Sequence, residues 1–193
     1  IFGIILGSVA ALNRNKWPDR VIIFFVTLFT AMPSLVLGSF LLLVFCIQLK
    51  IVPVWSTNNP NYVLPVIALS LSPMAYITRL TKTSMLDVLG QDYVRTARAK
   101  GVSPWKIIFV HSLRNALIPV ITYVGPLTAS ILTGSLVVET IFTIGGLGSK
   151  FVDSITKRDY TMIMGTTIFL ATLMVVMNLV SDLVYKLVDP RIK

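Results

Sequence analysis

The sequence contains few charged residues, one histidine and one cysteine. Charged residues make up 13% of the chain, against about 25% in soluble domains. The single cysteine, Cys46, allows neither an intrachain disulfide nor a multi-cysteine metal site. The single histidine, His111, has no evident further metal ligands near it in the sequence. These shortages argue against a disulfide-stabilised fold and against a metal centre.

Motifs typical of nucleotide-binding and hydrolytic enzymes are also missing. The chain has no G-x-x-x-x-G-K-[S/T] loop, whose backbone amides and lysine bind nucleotide phosphates. No Ser/His/Asp, Cys/His or paired-carboxylate arrangement appears on one predicted face. The sequence therefore predicts a protein that is not itself an enzyme, so that any ATP-driven step requires another subunit.

Long hydrophobic runs dominate what is present. Hydrophobic residues make up 55% of the chain, mean hydropathy is +0.83, and no charged residue occurs over 21–49, 115–138 or 160–181. Each run exceeds the roughly 20 residues that cross a hydrocarbon core, and a fourth apolar run ends before Arg79. Only helices fit such uniformly apolar segments. We predict an all-α, polytopic transmembrane bundle with spans at about 21–49, 61–81, 112–138 and 160–182.

The first 13 residues are equally apolar but too short to cross a membrane alone. We expect them to be a partial first span whose beginning lies upstream, in a chain truncated at its N-terminus. The sequence shows no repeat and no second soluble domain, so one membrane domain over 1–193 is predicted. Prolines within the apolar runs predict bends: Pro33, Pro65, Pro73, Pro119 and Pro126.

Basic residues are divided unevenly between alternate linkers. Linkers 13–20, 79–114 and 182–193 contain 13 of the 17 Lys and Arg, and the other linkers contain Lys50, Lys150, Lys157 and Arg158. Cytoplasmic loops carry the excess of positive charge. We therefore place the first group in the cytoplasm, with the C-terminus, and place 50–60 and 139–159 outside.

The most basic linker has the pattern of two helices separated by a turn. Apolar residues recur at helical spacing through its first half and predict one helix over 86–100; they include Leu86, Leu89, Tyr93 and Ala97. Gly101 suits the left-handed position after a helix, and Ser103 with Pro104 suits the N-cap and first position of the next. The second helix is expected to continue into the span near residue 115.

Three interpretations of this loop, about 83–111, compete. It could be an amphipathic helix on anionic lipid, or a docking element for a cytoplasmic partner. A DNA-binding helix-turn-helix is disfavoured because the second helix leads into the bilayer, so no nucleic-acid partner is expected.

The stretch RTARAKGVSPWKIIFVHSLRNALIPV (95–120) resembles the EAA loop of membrane subunits of bacterial ABC importers. Of that signature only Ala97, Gly101 and Leu113 agree, whereas Arg95 and Thr96 replace its Glu and first Ala. The oligopeptide/dipeptide permease branch is resembled more closely, by DYVRTARAKG and H-x-L-R-N-A-L-I-P and by further segments in the same order. These are LNRNKWPDR (12–20), ETIFTIGGLG (139–148), RDYTMIMG (158–165) and LVDPRI (187–192).

The resemblance implies a type I permease subunit that forms the path for peptides across the bacterial cytoplasmic membrane. It implies a second homologous permease subunit, two cytoplasmic ATPases and an extracytoplasmic peptide-binding protein as partners. ATP and Mg would bind to the ATPases, and this chain would hold no cofactor.

In that family the loop contains a coupling helix that docks on the ATPase. The resemblance therefore implies a docking set in this chain: Leu89, Tyr93, Arg95, Thr96, Ala97, Gly101, Ser103, Pro104, His111 and Leu113. Glu139 is open to two interpretations, a residue of the translocation path or a solvated helix end.

Two other classes of membrane protein fit the sequence less well. An ion-coupled secondary carrier would place ionisable groups deep in its spans, where this sequence has almost none. A purely structural anchor would not need the glycine-containing loop. Both are less consistent with the sequence than an importer subunit.

Overall fold

A computed structural model describes residues 1–132 and 135–188, and this part of the chain is built from helices. The α-helices are α1 (Phe2–Leu12), α2 (Trp17–Ala31), α3 (Ser34–Leu41), α4 (Val63–Leu89), α5 (Asp92–Ala99), α6 (Pro104–Lys106), α7 (Leu113–Ala116), α8 (Ile118–Leu132), α9 (Leu136–Ile141), α10 (Leu147–Thr156) and α11 (Tyr160–Val188). Two π-helical segments, Leu42–Gln48 and Ile107–Ser112, continue α3 and α6. The only β interaction within the described ranges is a bridge between Ser56 and Asn59.

Two sequence predictions fall partly outside this description. Residues 133–134 belong to the predicted span 112–138. Residues 189–193 belong to the C-terminal segment predicted in the cytoplasm and to the LVDPRI motif.

Within the described residues, Val63–Leu89 and Tyr160–Val184 are helices long and apolar enough to cross a membrane, and a third such stretch, Ile118–Ile141, is described on either side of residues 133–134. α1, with 11 residues, is shorter than a span. The all-α transmembrane prediction is confirmed, whereas the exact limits of each crossing stay predictions.

The predicted span 21–49 is not one uninterrupted helix. α2 ends at Ala31, Pro33 is extended (φ −58°, ψ 140°), and α3 begins at Ser34. Proline lacks an N–H and disfavours helical backbone at the residue before it, which explains the interruption after Ala31. The helices on either side of this break are long enough for one membrane crossing only when the bent pair is counted together. Pro73 and Pro126, in contrast, lie inside α4 and α8.

Residue contacts divide the chain into two compact units, so the single-domain prediction stays a prediction. The first unit comprises Ile1–Thr30, Met74–Val124 and the described residues from Ser181 onward. The second comprises Ala31–Pro73 and Gly125–Val180.

In the first unit, α1 packs backbone-to-backbone against α4 through small residues. A Cβ on Gly7 would lie 2.5 Å from the carbonyl oxygen of Thr78, and one on Gly3 would lie 2.9 Å from that of Met74. Ala10 is fully buried on the same helix. Small residues four positions apart permit such close helix approach in membranes.

A buried ion pair also ties α2 to α4 in the first unit. Lys82 Nζ lies 2.6 Å from Asp19 Oδ1, and the Asn15 N–H donates to the other carboxylate oxygen at 2.9 Å. Both charged side chains are largely buried. Removing one partner of a buried pair leaves an uncompensated charge, so this pair fixes α4 near the start of the basic loop.

Candidate coupling site

The basic loop starts with a break rather than with a continuous helix. α4 ends at Leu89, Gln91 is extended (φ −72°, ψ 150°), and α5 begins at Asp92. The helix predicted over 86–100 is therefore wrong. Gly90 explains the error, because glycine lowers helix stability by about 1 kcal/mol relative to alanine.

Leu89 and α5 consequently do not form one apolar face. Leu89 packs against a buried cluster formed by Ala11, Met85 and Ala116. On α5 the fully buried residue is Val94, whereas Ala97 is half-buried. The predicted apolar stripe is thus shared between two helices, and Val94 attaches α5 to its own chain.

The opposite side of α5 is polar and exposed. Arg95 and Thr96 are exposed, and Arg95 lies 3.7 Å from an exposed carboxylate oxygen of Asp92. An ion pair between such exposed groups contributes little to stability. This side of α5 is available to a partner.

Residues 100–103, here called the first corner, reverse the chain after α5. The Gly101 N–H donates to the Arg98 carbonyl at 3.0 Å, and the Val102 N–H donates to the Ala97 carbonyl at 3.1 Å. This pair of hydrogen bonds is a Schellman motif, which requires a left-handed residue directly after the C-cap of the helix. Gly101 has φ +74°, so the predicted conformation is confirmed.

The helix after the first corner begins as predicted and then changes from α-helical to π-helical geometry. Ser103 is the N-cap, Pro104 is the first helical residue, and the Ser103 carbonyl accepts from the Ile107 N–H at 3.0 Å. Within the described contacts the Ser103 hydroxyl makes no capping hydrogen bond. His111 lies in the π-helical segment Ile107–Ser112, and Leu113 begins α7.

Tyr93 connects α5 to this following helix. Its hydroxyl accepts a hydrogen bond from Asn115 Nδ2 at 2.9 Å and donates to the His111 carbonyl at 3.4 Å. The resemblance implies that Tyr93 belongs to the set of residues that dock on the ATPase. The structure instead engages its hydroxyl within the chain and leaves the ring partly exposed.

Two exposed aromatic residues were missed in the sequence. Trp105 and Phe109 stack with ring centroids 5.4 Å apart and both are exposed. Their i, i+4 spacing on a helix is the signal that predicts such a pair. Nearby, a groove of about 420 Å³ is lined by residues from both sides of the first corner, including Leu89, Arg98 and Ile107.

Glu139, in the second unit, is buried rather than solvated. Its Oε2 accepts from the Ser149 N–H at 2.7 Å and from the Ser149 hydroxyl at 2.9 Å. Ser149 is in the first turn of α10, whose N-cap is Gly146 and offers no side chain. The Glu139 carboxylate therefore caps α10, and the interpretation as a solvated helix end is wrong.

Residues 142–146, here called the second corner, are packed around that carboxylate. A Cβ on Gly146 would overlap the Glu139 carboxylate, and one on Gly148 would lie 3.2 Å from its Oε2. Phe142 is buried. α3 lies close to α9 at Gly38, where a Cβ would be only 2.9 Å from Ile141 Cδ1. The glycines of GGLG leave room for a buried charge.

A family model matches nearly the whole of this chain. The model for binding-protein-dependent transport system inner membrane components matches residues 3–193. The chain belongs to this family. It is therefore membrane-embedded, as the sequence predicted, and the match lends no support to an ion-coupled secondary carrier.

Individual relatives agree with the family assignment. The chain is 50% identical over 194 residues to the dipeptide transport system permease protein DppB of Bacillus subtilis, covering 100% of the chain and 63% of the relative. It is 40% identical over 196 residues to the oligopeptide permease OppB of Haemophilus influenzae, covering 100% of the chain and 64% of the relative. Against the glutathione permease GsiC of Escherichia coli K12 it is 39% identical over 194 residues, covering 100% and 63%. The chain thus spans slightly less than two thirds of the relatives that it matches.

Proposed function

We propose that the chain forms part of the transmembrane path of an ATP-driven importer for peptides. The names of its relatives support this proposal, since they are permease proteins of dipeptide, oligopeptide and glutathione transport systems. The scarcity of charge within the apolar helices also favours energy supplied from another subunit.

The complete system would contain a second, homologous permease subunit and two cytoplasmic ATPases that bind ATP and Mg. An extracytoplasmic peptide-binding protein would deliver the cargo. Anionic lipid is expected around the basic residues at the membrane surface.

The observation that carries the proposal is the geometry of α5. This helix is separated from α4 by a break and from α6 by the left-handed Gly101, and it is attached inward through the buried Val94. Its exposed side presents Arg95 and Thr96. A short helix held in this way can bind a partner subunit through its exposed side and can move with that partner.

Topology follows from the charge distribution. Loop 79–114 and the C-terminus would face the cytoplasm, where the ATPases are, and 139–159 would face outward, because basic residues concentrate on the cytoplasmic side.

Reconstitution of the full-length protein with its partners in liposomes tests the proposal. We expect peptide-loaded binding protein to stimulate ATP hydrolysis by the wild-type complex. Ala97→Trp should abolish stimulation, because Ala97 is the small, half-buried residue beside the exposed face. Arg95→Gln, the matched control, should reduce it only slightly, because an exposed charge at the rim mainly tunes association.

A complex with Ala97→Trp that remains fully stimulated, combined with loss of stimulation on neutralising several basic residues, would favour the lipid-surface interpretation of the loop. Absence of any binding-protein-stimulated hydrolysis in the wild-type complex would contradict the importer proposal itself.

A further inference from the structure

α5 has few ways to transmit a displacement to the helix that follows it. The break at residues 90–91 separates it from α4, and the first corner turns the chain before α6. Movement of α5 therefore reaches the next helix chiefly through side-chain contacts. The side-chain hydrogen bonds described between α5 and that helix are those of Tyr93, and α5 also packs against the π-helical segment Ile107–Ser112.

The Tyr93 contacts fall on an unusual part of the receiving helix. The His111 carbonyl belongs to the π-helical segment Ile107–Ser112, and Asn115 lies in α7 directly after it. π-Helical turns are rare and occur frequently at functional sites. One hydroxyl thus bridges the end of the π-helical turns and the α-helix that continues into the predicted span.

These contacts are also specific in their chemistry. The tyrosine hydroxyl is at once a donor and an acceptor, and here it donates to a backbone carbonyl and accepts from an amide. Phenylalanine would keep the ring and its packing but would lose both bonds. The two functions of the side chain can therefore be separated experimentally.

We infer that Tyr93 is a positioning residue, whose hydroxyl links the docking helix α5 to the π-helical entrance of the following span. This inference rests on the proposed function and assigns to Tyr93 an internal role in place of direct contact with the ATPase. The link transfers displacement of α5 to α7 directly, without passing through the first corner.

The test compares Tyr93→Phe with wild type in the full-length protein assembled with its partners. Three quantities are measured: copurification of the ATPase subunits, basal ATP hydrolysis, and peptide carried per ATP hydrolysed. We expect the first two to be retained and the third to fall at least about fivefold, the factor that corresponds to the net contribution of one of the two lost hydrogen bonds. Tyr160→Phe, at an exposed tyrosine that begins α11, is the matched control and should change none of them.

Asn115→Leu completes a double-mutant cycle. It should lower peptide carried per ATP to a similar extent, and the double variant should be little worse than either single variant, because both remove the same link. Fully additive losses would contradict the inference.

Three further outcomes overturn it. Unchanged peptide transport per ATP in Tyr93→Phe would show that the hydroxyl carries no coupling. Loss of ATPase copurification in Tyr93→Phe would instead make Tyr93 a docking contact. Failure of the wild-type complex to copurify with any ATPase would refute the proposed function, and this inference with it.

Discussion

The first and second corners end their preceding helices with the same hydrogen-bond pattern but with different residues. After α9, the Ile144 N–H donates to the Glu139 carbonyl at 2.8 Å and the Thr143 N–H donates to the Thr140 carbonyl at 3.4 Å. The left-handed residue is therefore Thr143, with φ +57°, where the first corner has Gly101, with φ +74°. A β-branched residue rarely adopts this conformation.

The difference is explained by what surrounds each corner. A Cβ on Gly101 would find no described atom within 4 Å, so this corner depends on glycine for its conformation and not for space. The second corner is held by Glu139, whose carbonyl and carboxylate both accept hydrogen bonds, and by the buried Phe142. Strained backbone persists where its surroundings determine it in several ways. The left-handed backbone of the first corner thus depends on the residue type, whereas that of the second corner depends on its surroundings.

Gly146→Ala should have the largest effect on stability, because its added methyl group would disrupt the packing inside the second corner. The new Cβ would overlap the Glu139 carboxylate and displace it from Ser149. Loss of its charge-assisted hydrogen bonds together with the overpacking should lower the free energy of unfolding by about 3 kcal/mol. Thermal unfolding of the purified protein in detergent measures this change.

Gly145→Ala is the matched control and should be nearly neutral, because no described atom lies within 4 Å of its Cβ position. In a Glu139→Ala background the Gly146→Ala substitution should cost much less, since the overlap is gone. Equal costs in the two backgrounds would contradict the role assigned to the carboxylate.

Exchanging the residue types at the two left-handed positions tests the comparison further and should change stability by a smaller amount. Gly101→Thr should destabilise the protein by about 1–2 kcal/mol, the cost of left-handed backbone for a residue with a Cβ. Thr143→Gly should stay within about 1 kcal/mol of wild type, because relief of strain offsets the added flexibility of the unfolded chain. Chemical unfolding of both variants measures the difference between their changes in the free energy of unfolding.

Gly101→Asn provides a further check, since asparagine tolerates left-handed backbone better than threonine does. A loss in Gly101→Asn as large as that in Gly101→Thr would mean that the positive φ is not the reason for glycine at this position.

Local chain chemistry explains which features of the fold and site were predictable. Gly101, Ser103 and Pro104 were placed correctly because helix termini depend on residues adjacent in sequence. The apolar helices were also evident, since burial in lipid imposes a uniform composition. The break at Gly90 was missed because the apolar spacing on either side of it happens to remain helical.

Long-range contacts were not accessible in the same way. The pairing of Glu139 with Ser149, and of Tyr93 with His111 and Asn115, joins residues 10 to 22 positions apart. Sequence spacing alone gives no sign that these side chains meet. The ion pair between Asp19 and Lys82, across two helices, was hidden for the same reason.

The most direct test of the account is whether the exposed face of α5 contacts an ATPase in the membrane. Thr96→Cys, placed on that face in a Cys46→Ser background, is treated in membranes containing the complete transport system with a membrane-permeable thiol-to-amine crosslinker. Lys150→Cys, on the exposed side of α10, is treated in parallel. We predict a crosslink between position 96 and an ATPase subunit and none from position 150. A crosslink to the ATPase from position 150 and none from position 96 would contradict both the proposed topology and the docking role of α5.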